Sequence, residues 1–362
     1  MKATIQRRLA GNVNAGFLIN LAFLLTIHSY ASAQTTIAFA GVDTLVDKAL
    51  NLVYDQKYDE AIALCEQVIQ KYPENPLGYF GHAAVYHLYM MSYRVNIFDD
   101  KFDSLAALTI EIGDRAVLKN VKDPNAHFVL GATYGFRGLN RIRKGQWFKA
   151  FLDGVKGVSN IKQAHSLDES LWDTYFGLGL YYYWKSSKAR VLTFLRMMKD
   201  EREKGIEYLK IAGEKGRFTA LESKISLVEI FYYEDRYEEA LAECFSIQHR
   251  FRDDPTWNYI TAKTLTKLGR YSEAKQYFAH LIQLLEKAEH QSNSYLGECF
   301  FGLAKCYFEL KQYDQAKEFL VSAKKLVSLK DTEREIEGPL LDYDLVIKRM
   351  DELEIELSLI NG

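Results

Sequence analysis

The 362-residue sequence predicts an all-α solenoid, with about seven helical hairpins stacked in series and a C-terminal helix capping the stack. Three observations predict it. Only five prolines occur (Pro73, Pro76, Pro124, Pro255 and Pro339), which leaves long stretches free of helix breakers. A motif recurs every 48 residues, as Tyr79-Phe80-Gly81-His82-Ala83, His127-Phe128-Val129-Leu130-Gly131 and Tyr175-Phe176-Gly177-Leu178-Gly179, each followed at one offset by Tyr86, Tyr134 or Tyr182. Phe300-Phe301-Gly302-Leu303-Ala304 with Tyr307 is a fourth copy. Finally, Asp59-Glu60-Ala61, Glu238-Glu239-Ala240, Ser272-Glu273-Ala274 and Asp314-Gln315-Ala316 each follow a tyrosine, and 34 residues separate Ala240 from Ala274.

Composition agrees with an ordered chain, at 48% hydrophobic and 26% charged. A formal net charge of −2 argues against a dedicated nucleic-acid binder. Residues 1–33 read as a cleaved signal peptide. Lys2, Arg7 and Arg8 supply a positive start, and the apolar run Phe17 to Ile27 is too short to span a hydrocarbon core. Ala31-Ser32-Ala33 then places small residues before a cut between Ala33 and Gln34. Cleavage removes three bases and no acid, so the mature chain carries −5 and is expected in the periplasm or at the cell surface, with no transmembrane helix. Residues 34–41 form a short linker. Residues 42–220 hold the N-terminal and central hairpins, with central units lengthened to 48 residues. Three further hairpins occupy 221–330, and a capping helix from Leu340 to Leu359 with its tail completes 331–362. Asp342, Asp344, Lys348, Arg349, Asp351, Glu352, Glu354 and Glu356 give that last helix the polar outer face a solenoid end requires.

These residues resemble the tetratricopeptide repeat (TPR), a 34-residue helix–turn–helix unit. In such a unit a small residue at position 8 of the first helix lets a small residue at position 20 of the second approach closely. The pairs here are Ala49 with Ala61, Val228 with Ala240, Ala262 with Ala274, and Ala304 with Ala316, while Gly179 and Gly205 form a pair in a unit lengthened by 14 residues. Asp55-Gln56-Lys57, Glu234-Asp235-Arg236 and Leu268-Gly269-Arg270 supply the turns, and Pro76, Pro124 and Pro255 fall at first helical positions. The resemblance is strong for 42–75, 221–254, 255–288 and 297–330, and weaker for 76–220. It implies a right-handed superhelix and a protein or peptide partner. Gly179-Leu180-Tyr181-Tyr182-Tyr183, Phe194-Leu195, Glu201-Arg202-Glu203-Lys204-Gly205 and Leu209 also look like the divergent TPR proteins of the inclusion-body-clearance group, over one unit only.

Nothing in the sequence points to catalysis, a cofactor or a metal. His82 and His87 are five apart, on different helix faces, and read as packing or surface residues. Glu222 and Glu229 lie seven apart on one face and could pair as acid and base, although solvated helix carboxylates are commoner. Cys299 and Cys306 are spaced beyond disulfide reach along a helix, and Cys65 and Cys244 occupy core position 24, so buried thiols are the favoured reading.

The expected function is a non-enzymatic scaffold of the cell envelope that binds a peptide or protein segment in its concave groove. Candidate groove residues are Phe80, Phe128, Phe176, Tyr183, Trp184, Tyr232, Tyr259, Lys263, Phe301 and Lys305, joined at equivalent positions by Ile225, Tyr233 and Phe308. Lengthened central units could cover these rings and make them core. Two alternatives stay open: an envelope enzyme with a site between hairpins, or a protein binding a membrane surface or an apolar ligand. A deep pocket with converging carboxylates would favour the enzyme. The membrane alternative rests on basic residues. Arg137, Arg141, Arg143, Lys144, Lys149, Lys156 and Lys162 accompany one acid, Asp153. Lys185, Lys188, Arg190, Arg196 and Lys199 form an acid-free, Met- and Phe-containing run, read as an insertion between two helices.

Overall fold

The computed structural model describes residues 41–188, 199–338 and 343–360. The signal peptide, nearly all of the linker, and Arg190 and Arg196 lie outside the described residues, as does the side chain of Lys188. Fifteen helices are described: α1 (Val42–Tyr54), α2 (Tyr58–Lys71), α3 (Pro76–Tyr93), α4 (Asp99–Lys119), α5 (Pro124–Arg143), α6 (Trp147–Leu167), α7 (Thr174–Lys188), α8 (Arg202–Lys215), α9 (Ala220–Tyr233), α10 (Tyr237–Ser246), α11 (Pro255–Lys267), α12 (Tyr271–Glu286), α13 (Asn293–Glu309), α14 (Tyr313–Val327) and α15 (Tyr343–Ile360). The first fourteen pair as seven hairpins, and α15 packs against α13 and α14. The protein is an all-α helical-repeat solenoid; the described residues form no strand, only an isolated bridge between Val95 and Glu335.

One device closes five of the hairpins. Gln56, Gly145, Asp235, Gly269 and Lys311 adopt the left-handed conformation, with φ between 57° and 71°. The next residue donates its N–H five positions back, as Lys57 does to the Leu52 carbonyl at 2.8 Å and Gln312 to that of Tyr307 at 2.9 Å. An aromatic residue (Tyr58, Trp147, Tyr237, Tyr271 or Tyr313) then starts the second helix. At the other ends, Pro76, Pro124 and Pro255 sit behind the capping side chains Asn75, Asp123 and Asp254.

The small-residue pairs are buried at the hairpin seams, each of the four alanine- or valine-containing pairs being at most 1% exposed. At Gly205 the approach is closer still: a Cβ there would lie 2.7 Å from the Gly179 carbonyl oxygen. In the centre, α4, α5 and α6 lengthen to 21, 20 and 21 residues, against 13 and 14 in α1 and α2.

The stack turns far enough that its early and late hairpins meet. Arg217 pairs with Asp43 and Asp47, and Arg250 donates to Asn51. Tyr54 donates to Glu222 at 2.6 Å, and Gln56 to Asp254 at 3.2 Å. Further along the seam Arg94, which ends α3 in the left-handed region (φ 55°), is 2% exposed and pairs with Glu298 of α13. Its guanidinium lies 3.6 Å from the Tyr295 ring centre and 4.3 Å from that of Tyr259, and Tyr259 donates to Glu298 at 2.8 Å. The 331–338 segment crosses over this clasp; Gly338 is required there, because a Cβ would collide with the guanidinium.

Candidate functional site

Where the early and late hairpins face each other they border a half-open cavity of about 990 Å³. Its walls come from three parts of the chain: the ends of α1 and α3, the end of α5 with Phe176 of α7, and α9 with the 251–256 and 330–338 segments. Apolar groups dominate the lining, including Leu88, Met91, Phe136, Phe176, Ile225 and Phe251. A cavity of this size admits a few side chains or one small organic molecule.

The chemistry concentrates on α9. Glu222 and Glu229, two helical turns apart, both face the cavity. They keep some surface toward the cavity, yet enclosing protein strips their water, and burial pushes both carboxyls up to about 7. The Tyr54 hydroxyl offsets part of this at Glu222 through its bond to Oε1, while Oε2 is buried without a partner. Glu229 makes no hydrogen bond or ion pair among the described residues. Asp254, also on the wall, is pushed up to about 6 by burial despite accepting from the Trp257 N–H at 2.8 Å and from Gln56. Glu222 and Glu229 are thus half-buried on a cavity wall and not the solvated helix carboxylates the sequence suggested. The cations on the same wall are engaged elsewhere: Arg143 and Lys144 hold Asp99, and Lys144 also reaches Asp103 at 2.8 Å.

His87 lines the cavity and packs on Phe102 and Phe136; burial lowers it to about 4, so it is neutral at physiological pH. His82 is likewise buried, stacked on Tyr86. The four cysteines are free and buried, Cys65 and Cys244 raised by burial to about 12, so they are inert apolar packing groups. No group of metal-binding side chains assembles among the described residues.

Of the aromatic stripe, Phe176 and the neighbouring position Ile225 line the cavity. Phe128, Tyr183, Tyr259 and Phe301 are buried in the core, and Tyr259 belongs to the Arg94 clasp. Phe80, Trp184, Tyr232, Lys263 and Lys305 are half-buried outside the cavity lining; Phe80 packs edge-on against Phe136, and Lys263 lies over the Tyr259 ring. Sequence reading missed Arg94, Glu298 and Tyr54, whose partners lie 168 to 204 residues away.

The basic stretches divide. Asp153 is buried and pairs with Arg137 at 2.8 Å and Arg141 at 2.6 Å, whereas Lys149, Lys156 and Lys162 are exposed. On the same helix Trp147, Phe148 and Phe151 are 67%, 74% and 66% exposed. Lys185 pairs with Glu201 at 3.0 Å, and Lys199 is exposed. No described helix is long and apolar enough to cross a membrane.

The tetratricopeptide repeat family model matches residues 43–75 and 298–326, the first hairpin and part of the seventh. Among solved structures, the chain is similar to one in the APC/C hetero-tetramer Cut9–Hcn1, at 14% identity and a TM-score of 0.52, covering 80% of this chain and 47% of that one. It thus spans about half the length of that relative. YrrB, described as a TPR protein with an unusual peptide-binding site, gives 14% identity and a TM-score of 0.42 over 61% of this chain and 94% of that one. PilW, a type IV pilus biogenesis factor, gives 12% and 0.45 over 69% and 95%. No curated protein matches the chain. The matched repeats lie near both ends of a stack of seven hairpins, so the chain carries tetratricopeptide repeats in an all-α helical-repeat solenoid.

Proposed function

We propose that this protein is a non-enzymatic scaffold, exported through its N-terminal signal sequence, that holds a segment of a partner protein in the cavity between its early and late hairpins. The half-open, mainly apolar cavity carries this reading: its volume suits several side chains, and helices α1, α3, α5 and α9 supply most of its walls. The fold contributes only an analogy. The test places a photocrosslinking amino acid at Phe176 or Ile225 in the living cell, with Val321 of α14, which is 62% exposed, as the control. Partners captured from both cavity positions and not from Val321 support the scaffold; identical patterns at all three positions sink it. An N-terminus at Gln34 on the envelope-associated protein supports export, and an intact one argues against cleavage.

The enzyme alternative draws on the two near-neutral glutamates. No hydrogen bond joins either of them to Ser226, the hydroxyl between them on the same wall, so a nucleophile activated by a base is not assembled there among the described residues.

A second reading rests on α6. Trp147, Phe148 and Phe151 project into solvent beside Lys149, with Lys156 further along, a combination suited to an anionic bilayer surface. Replacing the three aromatics by Ser is expected to abolish co-flotation with phosphatidylglycerol vesicles. Undiminished flotation removes this contact from the function.

A further inference from the structure

We propose that the cavity recognises an organic cation, an ammonium or guanidinium group on an apolar body, such as a lysine or arginine side chain offered by a partner segment. This rests on the reading that the cavity is the binding site. The argument is one of charge and shape. Glu222 and Glu229 are half-buried on the wall and Asp254 is buried, and no described basic side chain forms an ion pair with any of them. Glu222 Oε2 is buried with no hydrogen-bond partner and Glu229 has none at all among the described residues, so this wall presents carboxylate oxygens that no described donor reaches. A buried acceptor of this kind is costly unless something donates to it, and an ammonium or guanidinium donates with full charge. Phe136, Phe176 and Phe251 on the same cavity provide ring faces and apolar area for the body of such a ligand. Anions are disfavoured there. The wall cations Arg143 and Lys144 already hold Asp99, and Lys330 has a partner of its own.

Recognition of this kind is proton-linked. The charged and titratable groups facing the cavity are Tyr54, His87, Asp99, Arg143, Lys144, Glu222, Glu229, Asp254, Lys330, Glu335 and Glu337. Of these, Glu222, Glu229 and Asp254 change state between pH 5.5 and 8; His87 is already neutral, and Glu335 is held ionised by its hydrogen bonds. A cation therefore shifts these acids toward their ionised forms and releases protons at pH 7, and its affinity rises as pH increases from 5.5 to 8.

The probe is phenethylammonium, with 2-phenylethanol as its uncharged counterpart, titrated calorimetrically into the full mature chain in two buffers of different ionisation enthalpy. The ammonium is expected to bind about tenfold more tightly at pH 8, the factor a single charge-assisted hydrogen bond supplies, and to release a proton at pH 7. Glu229→Gln, which disturbs no described contact, and Glu222→Gln, which can still accept from Tyr54, should each remove most of that preference. Equal affinity for ammonium and alcohol, unchanged in both variants, overturns the cation inference and leaves the cavity as a binding site for neutral groups. No saturable binding of either probe also overturns it; the crosslinks from Phe176 and Ile225 then decide independently whether the cavity binds a partner.

Discussion

Buried acid occurs twice where the early and late hairpins meet, and the two places are built differently. At the clasp, Glu298 is met by Arg94 and by the Tyr259 hydroxyl, and two aromatic rings set edge to face lie against the guanidinium. In the cavity, Glu222 and Glu229 lie on one wall with a single tyrosine hydroxyl between them as donor. A chain that buries a charge must pair it or let it neutralise. The clasp takes the first course and the cavity the second, holding its glutamates near 7. The paired acid is therefore a structural fastener, while the unpaired acids tie folding and binding to proton concentration.

The clasp should show the larger effect. Glu298→Ala leaves the Arg94 guanidinium buried without its counter-ion, which costs about 3–5 kcal/mol by the usual penalty for breaking such a pair. Urea unfolding is expected to show that loss nearly unchanged between pH 5 and 8. A loss under about 1 kcal/mol would mean that the guanidinium finds water, and that the clasp does not hold the hairpins together.

The cavity acids should act in the opposite sense and with pH. Folding raises Glu222 and Glu229 from 4.5 to about 7, so the folded chain keeps protons that the unfolded chain has released. Their ionised forms thus destabilise the fold, and stability falls as pH rises from 4.5 through 7, by at most about 3 kcal/mol for each group. His87 works against this trend, because its lowered value favours the fold as pH rises through its own range. The difference between wild type and variant cancels that contribution. Glu229→Gln is expected to be neutral at pH 5 and stabilising by about 1–3 kcal/mol at pH 8. A pH-independent difference would show that Glu229 is as well hydrated in the fold as out of it.

Glu335 tests whether a buried acid without a cation can still be structural. Burial alone would raise it, but its Oε2 accepts from the Ser294 N–H at 2.7 Å and from the Ser292 and Ser294 hydroxyls, and Oε1 accepts from the Asp331 N–H. Together these bonds outweigh burial and hold it below its usual range. Its contribution is present above the unfolded value and is lost as pH falls through the folded one. Glu335→Ala is expected to cost about 1–2 kcal/mol at pH 7 and progressively less below pH 4, measured by thermal melts.

How much of this was legible follows from range. The hairpins were, because their signals are local: Ala49 meets Ala61 within one unit, and Pro76, Pro124 and Pro255 start their helices where a missing N–H does no harm. The seam was not. Whether Arg94 meets Glu298 depends on small rotations summed over five hairpins, and no residue spacing reports that sum. The same closure explains why the groove residues parted company. Tyr183 and Tyr259 sit at groove positions in the repeat pattern, yet core packing and the clasp bury them, leaving Phe176 and Ile225 of that stripe on the cavity. Periodicity marked Glu222 and Glu229 as sharing a face; only the returning first hairpin, with Tyr54, makes that face an interior one.

The smallest expected effect concerns Tyr54, which donates across the seam to a cavity acid. Tyr54 packs edge-on against Phe251, with ring centres 5.2 Å apart, and its hydroxyl reaches Glu222. Tyr54→Phe keeps the ring contact and removes only the hydrogen bond, so the loss should be about 1 kcal/mol at pH 7. Its pH dependence carries the information. Above pH 7 the hydroxyl donates to an ionised carboxylate and the loss grows; at pH 5 Glu222 is protonated and the loss shrinks. In a Glu222→Gln background the Gln oxygen accepts at every pH, so the same substitution should cost a constant amount. A double-mutant cycle at pH 5 and 8 reads this directly. A coupling that rises with pH places the Glu222 charge against the first hairpin, whereas a flat coupling would mean that Tyr54 fastens the seam without sensing the acid.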